Sequence, residues 1–139
     1  MLNVLKNRTS STIFVSLFAA CMLLLSGCSV VNDLQDIGSV GNAFLTALGK
    51  GDAAGAADLM HPRAKESGDI TEGLKSSFID RKFSLVSISN TKLENGVGEL
   101  SGKCNLNDAS GAPQVGDLTL QLQKDGDKWK VLNISCKIS

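Results

Sequence analysis

The chain has 139 residues, 42% of them hydrophobic and only 4% aromatic, with no tyrosine. Its 14 basic and 14 acidic side chains cancel, so it lacks the positive excess that nucleic-acid binding requires. That length fits one compact domain with a short additional segment.

The opening residues, MLNVLKNRTSS, carry Lys6 and Arg8 and no acid, and TIFVSLFAACMLLL (residues 12–25) carries no charge. As a helix the uncharged run is about 21 Å long, short of the roughly 20 apolar residues that a stable membrane span needs. A basic start, an apolar middle and a small-residue end are the three parts of a secretory signal. Leu25-Ser26-Gly27-Cys28 resembles the bacterial lipobox. That resemblance implies a signal peptide over 1–27, cleavage before Cys28, and a lipidated tether over 28–33. The Cys28 thiol, the soft nucleophile of the motif, would carry the lipid; two or more acyl chains suffice for stable anchoring where one does not. Ser29 resembles the outer-membrane sorting pattern of Gram-negative lipoproteins. Cleavage takes Lys6 and Arg8 and leaves twelve basic against fourteen acidic residues, net −2, so acyl chains rather than charge would hold the membrane.

Beyond the tether, Leu34, Ile37, Val40, Gly41, Phe44 and Leu48 recur at helical spacing, with Asp33 placed to start the helix and Gly49/Gly51 to end it. Asp52 caps a second, short helix whose buried side is Ala56, Leu59 and Met60, broken at His61-Pro62. A polar loop leads to a third helix from Thr71-Glu72, with Leu74, Phe78 and Ile79 inward and Asp80-Arg81-Lys82 as its charged end. From Phe83 the period becomes two, predicting strands at FSLVSISN, GVGELSGKCNL, QVGDLTLQLQ and KWKVLNISCKI. Asp125-Gly126 is the hairpin signal before the last. That strand is expected to turn Leu132, Ile134, Cys136 and Ile138 inward, leaving Trp129 on the opposite parity.

Helices followed by antiparallel strands with one wet face predict an α+β domain over 34–139: about three N-terminal helices packed on a curved four-stranded antiparallel sheet. Of four cysteines, Cys21 leaves with the signal and Cys28 takes the lipid. The remaining Cys104 and Cys136 make an even pair in an exported protein, the arithmetic of a disulfide. In a flat meander they stand about 9–10 Å apart across the intervening strand, beyond the roughly 7 Å limit on Cα separation. Both lie at the same end of the sheet and face the core, so bonding becomes possible if the third strand starts late or the sheet curls sharply; the alternative is two buried thiols acting as small hydrophobes.

AFLTALGKGDAAGAADLMHP and LQKDGDKWKVLNI resemble the opening helix pair and closing hairpin of the cystatin-like, nuclear transport factor 2-like superfamily, which includes SnoaL-like and lumazine-binding-like domains. The resemblance implies a cone between helices and sheet that accepts a small apolar ligand, with His61, Phe78 and Trp129 as ligand-pocket candidates. The ketosteroid isomerase version of such a site needs a Tyr-containing oxyanion hole, which a chain without tyrosine cannot build. A dehydratase-like version needs a His–Asp pair, to which this chain brings a single histidine. One histidine and two distant cysteines make a poor zinc set, so no metal and no cofactor are expected. Three functions remain in competition. The first is a lipid-anchored envelope protein with a non-catalytic domain that binds a small apolar ligand or another envelope protein. The second is a small-pocket enzyme using His61 or an acid such as Asp80, and the third a purely structural envelope lipoprotein.

Overall fold

The computed structural model describes residues 30–139. The expected signal peptide over 1–27, the lipid site Cys28 and Ser29 lie outside the described residues. The compact unit spans Leu34–Ser139.

The first helix, α1, covers residues 30–49. Residues 30–33, expected as tether, are therefore helical, and Asp33 lies inside α1 rather than at its start. Ile37, Phe44, Leu45 and Leu48 of the predicted stripe are buried. Asp52 caps α2 (Ala53–Asp58) by accepting a bond from the Gly55 amide at 2.9 Å. The chain then departs from expectation. Pro62 does not merely end α2 but opens a further helical turn, α3 (Pro62–Lys65), with His61 as its N-cap. Proline suits the first helical position because its missing N–H would find no helical partner there. Asp69 caps α4 (Ile70–Leu74) through the Thr71 and Glu72 amides. The helix continues without a break as a π-helical turn, Lys75–Ile79.

Four strands follow: β1 (Ser84–Glu94), β2 (Val97–Asn107), β3 (Pro113–Asp125) and β4 (Lys128–Ile138), all antiparallel in the order β1-β2-β3-β4. Leu100, Cys104, Leu106, Leu118, Leu120, Leu122 and Val131 bury one face of the sheet against Ile37, Phe44, Leu45 and Leu48. The other face is wet and carries a charge row, Lys103, Asp117 and Lys137, opposite one another on three strands, with Lys103 and Asp117 paired.

The sheet is sharply curled at one end. Cys104 and Cys136 are disulfide-bonded, with Cα atoms 6.2 Å apart, although β3 runs between their strands. The residue that permits this is Gly116, which pairs with Cys104 on one side and Ile138 on the other. A Cβ at Gly116 would lie 2.7 Å from the Lys137 carbonyl oxygen, so only glycine lets β4 fold so closely over β3.

The parity expected for β4 is also corrected. Gln121 pairs with Asn133 but the next residue, Leu122, pairs with Val131, which leaves Leu132 as the extra residue of a β-bulge. Before the bulge Trp129 and Val131 are the inward residues; after it Ile134, Cys136 and Ile138 are. Trp129, expected on the outer parity, is 5% exposed and part of the core.

Candidate functional site

α3, α4 with its π-helical turn, and the bulged part of β4 border an open cavity of about 300 Å³. Met60 and Leu74 form its buried floor. Half-buried Ala64, Ile70 and Phe78 line the helical side, and Leu132, Asn133 and Ile134 the sheet side. Two backbone irregularities border this space. The bulge presents three consecutive β4 residues to one space, which a regular strand, alternating its faces, cannot do. The π-helical turn holds an extra residue, and such turns recur at functional sites. Here it closes with the Asp80 amide donating to the Lys75 carbonyl at 2.8 Å and sets Phe78 edge-on against Phe83, ring centres 5.8 Å apart.

The polar groups on the lining are Ser67, Ser77 and Asn133, all neutral; Ser67 donates its hydroxyl to the Ala64 carbonyl at 3.2 Å. With polar and apolar surface in nearly equal parts and no charged side chain, such a lining suits a small uncharged guest.

The three pocket candidates are not gathered in this cavity: Phe78 lines it, while His61 and Trp129 lie elsewhere. His61 is 8% exposed. Its Nδ1 accepts a bond from the Arg63 amide at 3.1 Å, and its Nε2 lies 3.3 Å from the Lys124 carbonyl. An accepting Nδ1 assigns the proton of the neutral ring to Nε2, which then donates to Lys124. Trp129 pairs with Lys124 across the β3–β4 hairpin, and the Lys124 ammonium stands 5.5 Å from its ring centre, within cation–π range. Trp129 borders a second groove, about 350 Å³, shared with Asp36, Val40, Leu59 and Lys128. Asp80, the acid considered alongside His61, is an exposed turn residue. Neither is among the cavity's lining residues.

Sequence reasoning missed Leu132 and Asn133 as lining residues, because a bulge leaves no mark in an alternation that either parity can satisfy. It also missed Ser67 and Ser77, polar residues in a stretch read as loop and helix surface.

Helices against one face of a curled, four-stranded antiparallel meander make this an α+β, cone-like fold of the NTF2-like kind. No family model matches the sequence, and no curated protein does. Solved structures do. An NTF-2-like protein of unknown function from Shewanella oneidensis is 18% identical with a TM-score of 0.52, covering 72% of this chain and 94% of that one. A calcium/calmodulin-dependent protein kinase II association domain from Xanthomonas campestris is 17% identical with a TM-score of 0.54, covering 74% and 85%. A protein of unknown function from Mycobacterium tuberculosis is 11% identical with a TM-score of 0.55, covering 80% and 74%. At these identities the likeness is one of fold.

Proposed function

We propose that this chain is a lipid-anchored cell-envelope protein whose small domain binds a small uncharged ligand without catalysing a reaction on it. The observation that carries the binding part is the lining of this open cavity: uncharged throughout, with apolar and polar surface side by side, between a β-bulge and a π-helical turn. His61 supports the non-catalytic part, because both of its ring nitrogens are engaged with backbone groups, where they cap α3 and fasten it to the β3–β4 hairpin. The anchor rests on Leu25-Ser26-Gly27-Cys28 following a basic start and an uncharged run. No helix among the described residues is long and apolar enough to cross a membrane; the acyl chains on Cys28 are the attachment in this reading.

Gly73 offers the test of the cavity. It lies on the lining, and a Cβ built there meets nothing within 4 Å. Gly73→Leu would project a side chain into the opening with the fold retained. Native mass spectrometry of protein purified from its own host should find a small uncharged molecule on the wild type and none on the folded variant. The same ligand on both proteins, or turnover of a bound molecule that stops in His61→Asn, would contradict the reading.

A further inference from the structure

We propose that the β1–β2 and β3–β4 hairpin tips form the membrane-facing end of the domain, standing against a lipid bilayer while the Cys104–Cys136 end points away. The inference rests on the anchoring reading above and adds an orientation to it. Leu34, where the compact unit begins, lies six positions after Cys28, so even a fully extended connection reaches only about 20 Å.

α1 enters the unit at the hairpin end. Ile37 packs on Gly98, two residues beyond the β1–β2 turn, so closely that a Cβ there would lie 2.7 Å from the Ile37 Cδ1. Asp36 and Val40 share a groove with Asp127, Lys128 and Trp129 at the β3–β4 turn. The loop at Asp108–Ala112 and the disulfide mark the opposite end of the sheet. With 13 residues, β3 separates the two ends by about 40 Å, twice the reach of the connection.

The flank carries exposed Val86, Ile88 and Val115 but no excess of positive charge to hold it against a bilayer. The wet face alternates in sign along Lys103, Asp117 and Lys137, and the chain from Cys28 onward is net −2, which offers anionic headgroups no attraction. Val30 and Val31, 50% and 54% exposed, follow Cys28 by two and three residues in the sequence.

The chain contains one tryptophan, Trp129, at the end assigned to the bilayer, and it serves as an optical probe. The lipidated protein is bound to phosphatidylcholine vesicles containing a dansyl-headgroup lipid. Trp129 emission should be lost by energy transfer. A Trp129→Phe, Ser110→Trp protein, reporting from the far end, should keep most of its emission. A flexible Gly-Ser segment inserted after Ser29 should abolish the difference. Hydrogen exchange on the unsubstituted lipidated protein checks the result without core substitution. Vesicles should slow exchange around residues 95–96 and 126–127 and leave 108–112 unchanged. Vesicle-bound protein with equal or reversed effects at the two ends overturns the orientation and leaves the anchor standing. Protein that does not float with vesicles and is unmodified at Cys28 overturns both.

Discussion

His61 occupies two structural positions at once. Its Nδ1 completes the first turn of α3 and its Nε2 fastens that turn to the Lys124 carbonyl. Loss of an N-cap costs about 1 kcal/mol, and orphaning a partly buried bonding partner adds to it. His61→Ala should therefore lower stability in urea by about 1–2 kcal/mol, and His61→Asn, which keeps a capping acceptor, should recover part of that. No recovery by asparagine would show that the cap is not what matters. Acid stability has a different origin. Asp108 accepts from the Ser110 hydroxyl and amide, the Ala112 amide and the Gln114 side chain. These bonds, the Ser110 hydroxyl first, hold its carboxyl below the ordinary 3.8. The Lys103 ammonium, by hydrogen bond and charge, does the same for Asp117. A carboxyl with a lower pKa folded than unfolded contributes its stability above the unfolded value. That contribution disappears as pH falls through the folded one. NMR titration should place both carboxyls below 3.8, and Asp108→Asn should flatten the fall in stability below about pH 4. Both groups are solvent-exposed, so the Asp117 effect should also weaken with added salt. A helix boundary at His61 was legible because proline follows it. Which helix His61 caps was not, since His-Pro both ends one helix and begins another.

At the scale of elements, α1 contains two glycines with opposite consequences. A Cβ at Gly38 meets nothing within 4 Å, whereas at Gly41 it would lie 2.1 Å from Leu100 Cδ1. Gly38→Ala should stabilise the protein by up to about 1 kcal/mol through helix propensity. Gly41→Ala should instead destabilise it by about 1–3 kcal/mol, because Leu100 is held in a packed core. Thermal or urea unfolding of the pair checks the sign of each. The disulfide spans 32 residues of sequence. Loop-closure entropy for a loop of that size is about 3–4 kcal/mol, so Cys104→Ala/Cys136→Ala should lose most of that amount. A loss under about 1 kcal/mol would mean that the unfolded chain is not appreciably constrained by the bond. Helical spacing and strand alternation made the main layers readable, because burial of one face imposes a period on each. The π-helical turn, the short α3 and the β4 bulge were not readable, since each inserts a local shift that leaves composition unchanged. The β1–β2 hairpin did have a signal. Asn95 and Gly96 both take positive φ, 52° and 76°, in the two-residue turn that favours Asn-Gly, and this extends β1 to Glu94, four residues beyond the predicted end.

For the whole molecule, the NTF2-like cone supplies a cavity whose lining is neutral. In the reading proposed above, the N-terminal sequence supplies an attachment that needs no charge. The two halves are legible to different degrees. The lipobox-like residues are a compact motif read directly from the chain, while the cavity depends on side chains brought together by irregular backbone. The direct test of the account is the intact mass of the protein extracted from membranes of its native host. The account predicts a chain that begins at Cys28 and carries acyl groups on that residue, with Cys28→Ser neither processed at that bond nor retained by membranes. A membrane-extracted chain that keeps residues 1–27, or one that begins at Cys28 with no lipid on it, would contradict it.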